Sequence, residues 1–141
     1  MLGVLSVSPK NALAPSRQLK VLIADDDRDA VSTLRTLLQT EGHHVRGVHR
    51  SADVMGSERD FRPDVLILDL QMPDISGYDL ARWLRSRHPA CCPLLIAVSG
   101  AFTRPQDRQL SRIAGFDYYL TKPYAIDDLL SLIHAKGWSP G

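Results

Sequence analysis

The chain has 141 residues, a length that fits one domain and is too short for two. Apolar residues make up 44% and charged residues 23%, which favours a globular protein with its own core and excludes a disordered chain, a coiled coil and a collagen-like repeat. Lys and Arg number 17 against 16 Asp and Glu, so the formal net charge is +1. This balance gives no support for nucleic-acid binding or membrane binding, and no apolar run is long enough to span a bilayer.

Residues 1–18 differ from the rest, because they carry basic but no acidic side chains and include Pro9 and Pro15. We interpret them as a flexible lead-in or linker, followed by one domain over 19–136 and a tail over 137–141. Cys91 and Cys92 are adjacent, and neighbouring cysteines rarely form a disulfide with each other. We therefore expect reduced thiols and a cytoplasmic protein.

In the first half of the chain, short apolar runs alternate with stretches of helical periodicity. Residues 21–24 form a continuous apolar run typical of a buried strand, which ends in three aspartates, Asp25 to Asp27. Apolar residues then recur at helical spacing from 30 to 38, and Gly42 ends the predicted helix. A weaker strand over 44–49 and a weak helix over 51–60 follow.

The same alternation continues in the second half. Buried strands are predicted at three places: 65–68, 94–98 and 116–121. Helices are predicted at about 76–87, around Leu110, Ile113 and Ala114, and over 126–133, where apolar residues recur at i, i+3, i+4 and i+7. This pattern predicts an α/β fold, a doubly wound parallel sheet with helices on both faces.

Polar side chains follow the strongly apolar strands at the point where each strand ends. Asp25 to Asp27 follow the first strand, and Asp69, Ser99 and Lys122 each stand at the end of a later one. In parallel sheets of this kind the functional crevice lies beyond the carboxyl ends of the strands. We therefore expect these side chains to share one rim of the sheet.

The expected rim carries the groups that phosphoryl transfer to a carboxylate needs. Neighbouring carboxylates repel unless a cation lies among them, and carboxylate and carbonyl oxygens suit Mg²⁺. A lysine and a serine hydroxyl beside them can bind a phosphoryl group. Each position alone could be a turn, a helix cap or a solvated charge, and only their coincidence at one rim favours function.

Four segments make the chain similar to a known family: VLIADDD (21–27), DVLILDLQMPDISGYDL (64–80), LLIAVSG (94–100) and AGFDYYLTKP (114–123). Together they resemble the receiver domain of two-component response regulators, over about residues 19–135. The resemblance implies the flavodoxin-like receiver fold, with five parallel strands in the order 2-1-3-4-5. It also implies a phospho-accepting signalling module rather than an enzyme.

The resemblance assigns a role to each residue of the rim. Asp69 matches the aspartate that accepts a phosphoryl group from a histidine. Mg²⁺ would be bound by Asp26, by Asp69 and by the backbone carbonyl of Gln71, with Asp25 acting through water. Lys122 would pair with Asp69 and then with the phosphate.

The resemblance also implies a switch and a set of partners. Ser99 would donate a hydrogen bond to the phosphoryl group, and the side chain of Tyr119 would move in response to Ser99. The peptide bond before Pro123 is expected to be cis. The phosphodonor would be a histidine kinase or a histidine phosphotransfer domain. A downstream protein or a second copy would bind through the last strand and the last two helices. GYDLARWLR (77–85) looks most like receivers at the C-terminus of hybrid histidine kinases, so the chain would be either a stand-alone regulator or part of such a kinase.

Two other functions fit parts of the sequence. Asp25 and Asp27 form a D-x-D after an apolar strand, as in aspartate-nucleophile phosphohydrolases, but Arg28 and Asp29 follow where that family has a threonine. An inert receiver-like binding module is the other alternative, and the complete set of acceptor residues argues against it.

Overall fold

The computed structural model describes residues 18–88, 93–100 and 105–137. The predictions for Cys91 and Cys92 lie outside the described residues, and those for the lead-in and the tail lie almost wholly outside them. Within the described ranges, no helix is long and apolar enough to cross a membrane.

Within the described ranges, five strands alternate with five helices. The strands are β1 (Lys20–Ala24), β2 (His44–Val48), β3 (Val65–Asp69), β4 (Leu94–Ser99) and β5 (Tyr118–Thr121). The helices are α1 (Arg28–Thr40), α2 (Ala52–Phe61), α3 (Gly77–Arg87), α4 (Pro105–Ala114) and α5 (Ile126–Gly137). Every predicted element is present, with ends that differ from the predicted ones by a few residues.

The strands form one parallel sheet in the order β2-β1-β3-β4-β5. This confirms the predicted fold class and strand order. β1, β3 and β4 lie in the middle, and their side chains are buried along almost their whole length, as continuous apolar runs predict for strands covered on both faces.

Alternate side chains of the central strands enter two apolar clusters, one on each face of the sheet. Leu22, Leu66 and Leu95 pack with side chains of α2 and α3 on one face. Their neighbours in sequence pack with α1 and α5 on the other face, where Leu38 and Ile133 are wholly buried. The sheet is therefore a rigid platform, and its carboxyl ends are fixed in position by both clusters.

Two helices differ from what their sequences indicate. α2 has a weak apolar pattern, but the carboxylate of Asp74 accepts hydrogen bonds from the N–H groups of Ser51 and Ala52 at 3.0 and 2.9 Å, where α2 begins. In α4 the apolar residues that predicted the helix do not form its buried face, because Leu110 is 46% and Ile113 71% exposed. The core contact of α4 comes from Ala114 instead.

Candidate functional site

Three carboxylates lie together at the carboxyl ends of β1 and β3. Oxygen atoms of Asp25, Asp26 and Asp69 all lie within 4.8 Å of one another. β1 and β3 are neighbours in register, with Ala24 opposite Leu68, so the residues that follow come side by side. Asp25 and Asp69 are buried and Asp26 is exposed. The strand ends thus bring together the aspartates that the sequence predicts to share a rim.

Lys122 supplies the positive charge of this cluster. Its Nζ lies 2.8 Å from Oδ2 of Asp25 and 3.4 Å from Oδ2 of Asp69. The backbone holds the lysine in place, because the Lys122 N–H donates to the carbonyl of Ser99 at 2.7 Å and the bond to Pro123 is cis, as expected. The expected pairing with Asp69 is present, but the shorter contact is with Asp25.

Burial and charge act differently on the two buried carboxyls. For Asp69, burial raises the pKa above its ordinary value, and the nearby Asp25 raises it further, against the hydrogen bond from the Gln71 N–H. For Asp25, burial also acts to raise the pKa, but hydrogen bonds from Lys122 and the Asp27 N–H outweigh it and leave the pKa lowered. Of these two buried carboxylates, Asp69 is therefore the one whose charge is less compensated.

Burial alone would lower the pKa of Lys122, but the hydrogen bond to Asp25 and the charge of Asp69 raise it instead. The ammonium group is thus firmly charged. Among the described residues, the Lys122 ammonium contacts two of the three clustered carboxylates, Asp25 and Asp69. One positive charge against three carboxylates favours binding of a further cation.

The carboxylate cluster fits a hard divalent cation. Oxygen ligands without histidine or thiolate are the set that Mg²⁺ prefers and that zinc does not. Among the described residues, this is the one group of three or more acidic, histidine or cysteine side chains close enough to hold an ion. The Gln71 carbonyl belongs to the same turn, since the Gln71 N–H donates to Oδ1 of Asp69 at 2.9 Å.

Ser99 lies at the end of the neighbouring strand. Asp69 is in register with Val98 of β4, and Ser99 is the next residue. Ser99 is 7% exposed, and the following N–H, that of Gly100, donates to Oε1 of Gln71 at 3.0 Å. The ends of β3 and β4 are therefore joined by the Gln71 side chain, a contact that the sequence does not predict.

Asp27 does not contribute to the cluster. Its Oδ1 accepts hydrogen bonds from the N–H groups of Asp29 and Ala30 at 3.1 and 3.2 Å, so it caps the first turn of α1. The D-x-D pair of a phosphohydrolase needs both carboxylates at the reacting group. Engagement of Asp27 with the helix therefore disfavours that alternative.

Tyr119 lies two strands away from Asp69, in register with Ala97 of β4. Its ring packs against the cluster on the α2–α3 face, and its hydroxyl is buried with no hydrogen-bond partner among the residues that the structure describes. The guanidinium of Arg108 in α4 lies 5.3 Å from the ring centroid. Sequence reasoning missed Arg108, because only the packing of α4 against β5 brings it to the ring.

A cavity of about 410 Å³ opens beside the carboxylates, between the sheet and α1. Asp25, Asp69 and Lys122 form its polar wall, and the rest is largely apolar, including Leu34 and Tyr124. Burial raises the pKa of Tyr124, so its hydroxyl stays neutral. The polar wall with Asp69 thus faces a partly apolar cavity.

Comparison with known proteins gives a consistent result. Residues 21–134 match the family model of the response regulator receiver domain. The chain is 35% identical over 115 residues to the transcriptional regulatory protein GltR of Pseudomonas aeruginosa, covering 82% of this chain and 47% of that protein. It is 34% identical over 117 residues to the response regulator MprA of Mycobacterium avium, covering 83% and 50%.

Solved structures of receiver domains have the same fold as this chain. The signal receiver domain from Bermanella marisrubri has a TM-score of 0.75 and 29% identity, covering 84% of this chain and 98% of that chain. The BeF3-activated DrrB receiver domain has a TM-score of 0.75 and 25% identity, covering 85% and 97%.

The chain spans about half the length of the curated relatives it matches. Their names describe regulators of transcription or response, so they do not bear on the resemblance to hybrid kinases. That origin stays a prediction.

Proposed function

Because the chain belongs to the response regulator receiver domain family, we propose that Asp69 is its phospho-accepting residue. The observation that carries the proposal is the position of this buried carboxylate, which lies with Asp25, Asp26 and the Lys122 ammonium at the carboxyl ends of the strands. Of the two buried carboxyls, Asp69 is also the one whose charge is less compensated. A location in the cytoplasm, expected from the sequence, is part of the proposal.

Receivers of this family interact with histidine kinases or phosphotransfer proteins, and we take a phosphohistidine as the donor. A carboxylate oxygen of Asp69 attacks the phosphorus atom, and an O–P bond forms as the P–N bond to the imidazole breaks. The electron pair of that bond stays on the imidazole nitrogen, which takes up a proton from water. Asp69 then carries an acyl phosphate, and slow attack by water returns the free carboxylate and inorganic phosphate.

Asp26 and Asp69 would hold Mg²⁺ directly, together with the backbone carbonyl of Gln71, and Asp25 would act through water. Bound there, Mg²⁺ would neutralise negative charge shared by the carboxylates and the phosphoryl oxygens. The burial of Asp69 and its hydrogen bond from the Gln71 N–H fix the direction in which the nucleophilic oxygen points.

Lys122 and Ser99 are the proposed donors to the phosphoryl group. The Lys122 ammonium already lies 3.4 Å from Oδ2 of Asp69, so its charge is in place before the phosphoryl group arrives. Ser99 follows the register partner of Asp69 and its hydroxyl can donate one hydrogen bond.

We further propose that the phosphoryl group changes the surface made by α4, β5 and α5. Movement of Ser99 toward the phosphoryl group would alter the contact between β4 and β5, where Tyr119 packs. Leu110, Ile113 and Tyr118 are exposed apolar side chains of this region, and such a patch suits a downstream protein or a second copy of the domain.

The test is uptake of phosphate from phosphoramidate or acetyl phosphate with Mg²⁺, followed by intact mass. We expect one added phosphoryl group on the wild type and none on Asp69→Asn. Asp27→Asn serves as the matched control, because Asp27 caps α1, and it should be labelled as the wild type is. Equal labelling of Asp69→Asn and wild type would refute the assignment.

The phosphohydrolase alternative is separated by a second assay. The proposal includes no turnover of external phosphate esters beyond release of the domain's own phosphate. Repeated turnover of an aryl phosphate that is lost in Asp25→Asn and in Asp27→Asn would favour the alternative.

A further inference from the structure

The side chain of Gln71 connects the ends of two strands, whereas the proposed function uses only the backbone N–H and carbonyl of this residue. Oε1 accepts the N–H of Gly100 at 3.0 Å, and the Gln71 N–H donates to Oδ1 of Asp69 at 2.9 Å. One residue therefore contacts both the proposed phospho-acceptor and the residue that follows Ser99.

The carboxamide lies unusually close to the backbone of residue 100. A Cβ atom there would be 2.6 Å from Oε1 and 3.2 Å from Nε2 of Gln71. The contact therefore depends on glycine having no side chain. As a result, the Gly100 N–H is covered by a carbonyl oxygen in the phosphate-free protein.

A phosphoryl group on Asp69 would compete for that N–H. It brings terminal oxygens that carry negative charge and accept strong hydrogen bonds. Lys122 Nζ and the Ser99 hydroxyl are two donors at this rim, and the backbone N–H after Ser99 is a third. Lys122 Nζ already donates to Asp25 and to Asp69 itself. The backbone N–H is held by the carboxamide oxygen of Gln71, and that oxygen would repel a phosphoryl oxygen placed beside it.

We infer that Gln71 is a positioning residue. Its carboxamide oxygen accepts the Gly100 N–H in the phosphate-free protein and must release it when Asp69 is phosphorylated. The inference rests on the proposed function of Asp69. A hydrogen bond that must be exchanged typically changes an equilibrium constant roughly two- to tenfold. The contact therefore makes phosphorylation of Asp69 less favourable by about that factor. It also ties the ends of β3 and β4 together until the phosphoryl group arrives.

The test uses Gln71→Met, which keeps the length of the side chain and removes the carboxamide. Gln39→Met on the exposed face of α1 makes the same change away from the site. Gln71→Asn keeps the amide but shortens its reach by one methylene group. Each protein is titrated with beryllofluoride and Mg²⁺, a mimic of the phosphoryl group, and the Gly100 amide is followed by NMR and by hydrogen exchange.

In Gln71→Met and Gln71→Asn we expect the phosphate-free Gly100 amide to shift and to exchange faster, and beryllofluoride to bind roughly two- to tenfold more tightly. Gln39→Met should match the wild type in both measurements. An unchanged Gly100 amide, or unchanged or weaker beryllofluoride binding in Gln71→Met, would overturn the inference. If the wild type binds no beryllofluoride, or Asp69→Asn binds it equally well, the proposed function itself fails and the inference falls with it.

Discussion

The two ends of the sheet hold ionisable side chains that are balanced in different ways. At the carboxyl ends of the strands, Asp25, Asp26 and Asp69 lie together with one ammonium, that of Lys122. Near the amino ends, the buried carboxylate of Glu58 in α2 contacts Arg87 and His88, where α3 ends.

The Glu58 oxygens lie 3.2 Å from Nε of Arg87 and 2.8 Å from Nε2 of His88. Each oxygen of Glu58 therefore has its own partner, whereas the rim carries more negative charge than its partners neutralise. Compensated burial stabilises the fold, and uncompensated burial leaves a place for a cation and a phosphoryl group. Removal of a carboxylate charge should therefore lower the stability of the fold at Glu58 and raise it at the rim.

The largest expected effect is at Glu58. Glu58→Gln removes the charge that Arg87 and His88 share, and we expect the free energy of unfolding to fall by about 2 kcal/mol, a value reduced for the exposure of Arg87. Phosphoryl uptake should be unchanged. Urea denaturation measures the free energy of unfolding, and intact mass measures phosphoryl uptake. The control is Asp60→Asn, which changes an exposed acidic residue of the same helix. Equal stability of both variants would contradict the comparison.

Removal of a charge at the rim should act in the opposite direction. Burial and then Asp25 raise the pKa of Asp69, so at neutral pH its charge opposes folding. Asp69→Asn should therefore raise the free energy of unfolding without metal, by on the order of 1 kcal/mol. It should also lose stabilisation by Mg²⁺. Thermal unfolding with and without Mg²⁺ tests this, and a less stable variant that still responds to Mg²⁺ would be the opposite result.

A smaller effect is expected at His43, near the amino ends of the strands. Burial and then His134 lower the pKa of this histidine, and its Nδ1 accepts the Leu19 N–H at 3.2 Å. Unfolding therefore takes up a proton below the unfolded pKa, about 6.5. Stability is complete above that pH and is lost as the pH falls toward the lower folded value.

Melting temperatures at pH 7.5 and pH 5 measure this loss. His43→Gln should show a shallower dependence than the wild type. The exposed His44 provides the control, since His44→Gln should keep the wild-type slope. A steep slope retained in His43→Gln would assign the effect to another group.

The smallest effect is expected at the exposed Asp74. Hydrogen bonds from the backbone, first that of Ala52, lower the pKa of its carboxyl to about 2. The stabilisation of α2 is therefore present above the unfolded pKa and is lost as the pH falls toward the folded value of about 2.

Asp74→Asn should lower the melting temperature slightly at pH 7, and the difference from the wild type should shrink between pH 4 and 2. Asp53→Asn, in the first turn of the same helix, is the control. A difference that persists at pH 2 would mean that the charge of Asp74 is not its cause.

Much of the rim could be predicted because its signal is local. Each central strand is a continuous apolar run followed at once by a polar residue, and a parallel sheet brings those ends together. The sequence alone therefore predicts that Asp25, Asp69, Ser99 and Lys122 share one edge of the sheet. The preference of Lys122 for Asp25 was not predictable, because it depends on side-chain distances.

The contacts that were missed join residues far apart in the chain. Burial of Glu58 depends on Arg87 and His88, which arrive from another helix. The exposure of Leu110 and Ile113 is a related case, since periodicity shows that a helix is amphipathic but not which neighbour covers it. Gln71 lies in a turn with no periodicity, and its contact with Gly100 depends on how the ends of β3 and β4 meet.

The central claim is that the phosphoryl group is carried by Asp69 and by no other carboxylate of the rim. Reduction of the phosphorylated protein with borohydride converts an acyl phosphate into an alcohol, so a phosphorylated aspartate becomes homoserine. Peptide mass mapping then locates it. We predict homoserine at position 69 after treatment with phosphoramidate and Mg²⁺, and aspartate at positions 25, 26 and 27. Homoserine at position 25, or at none of the four, would contradict the account.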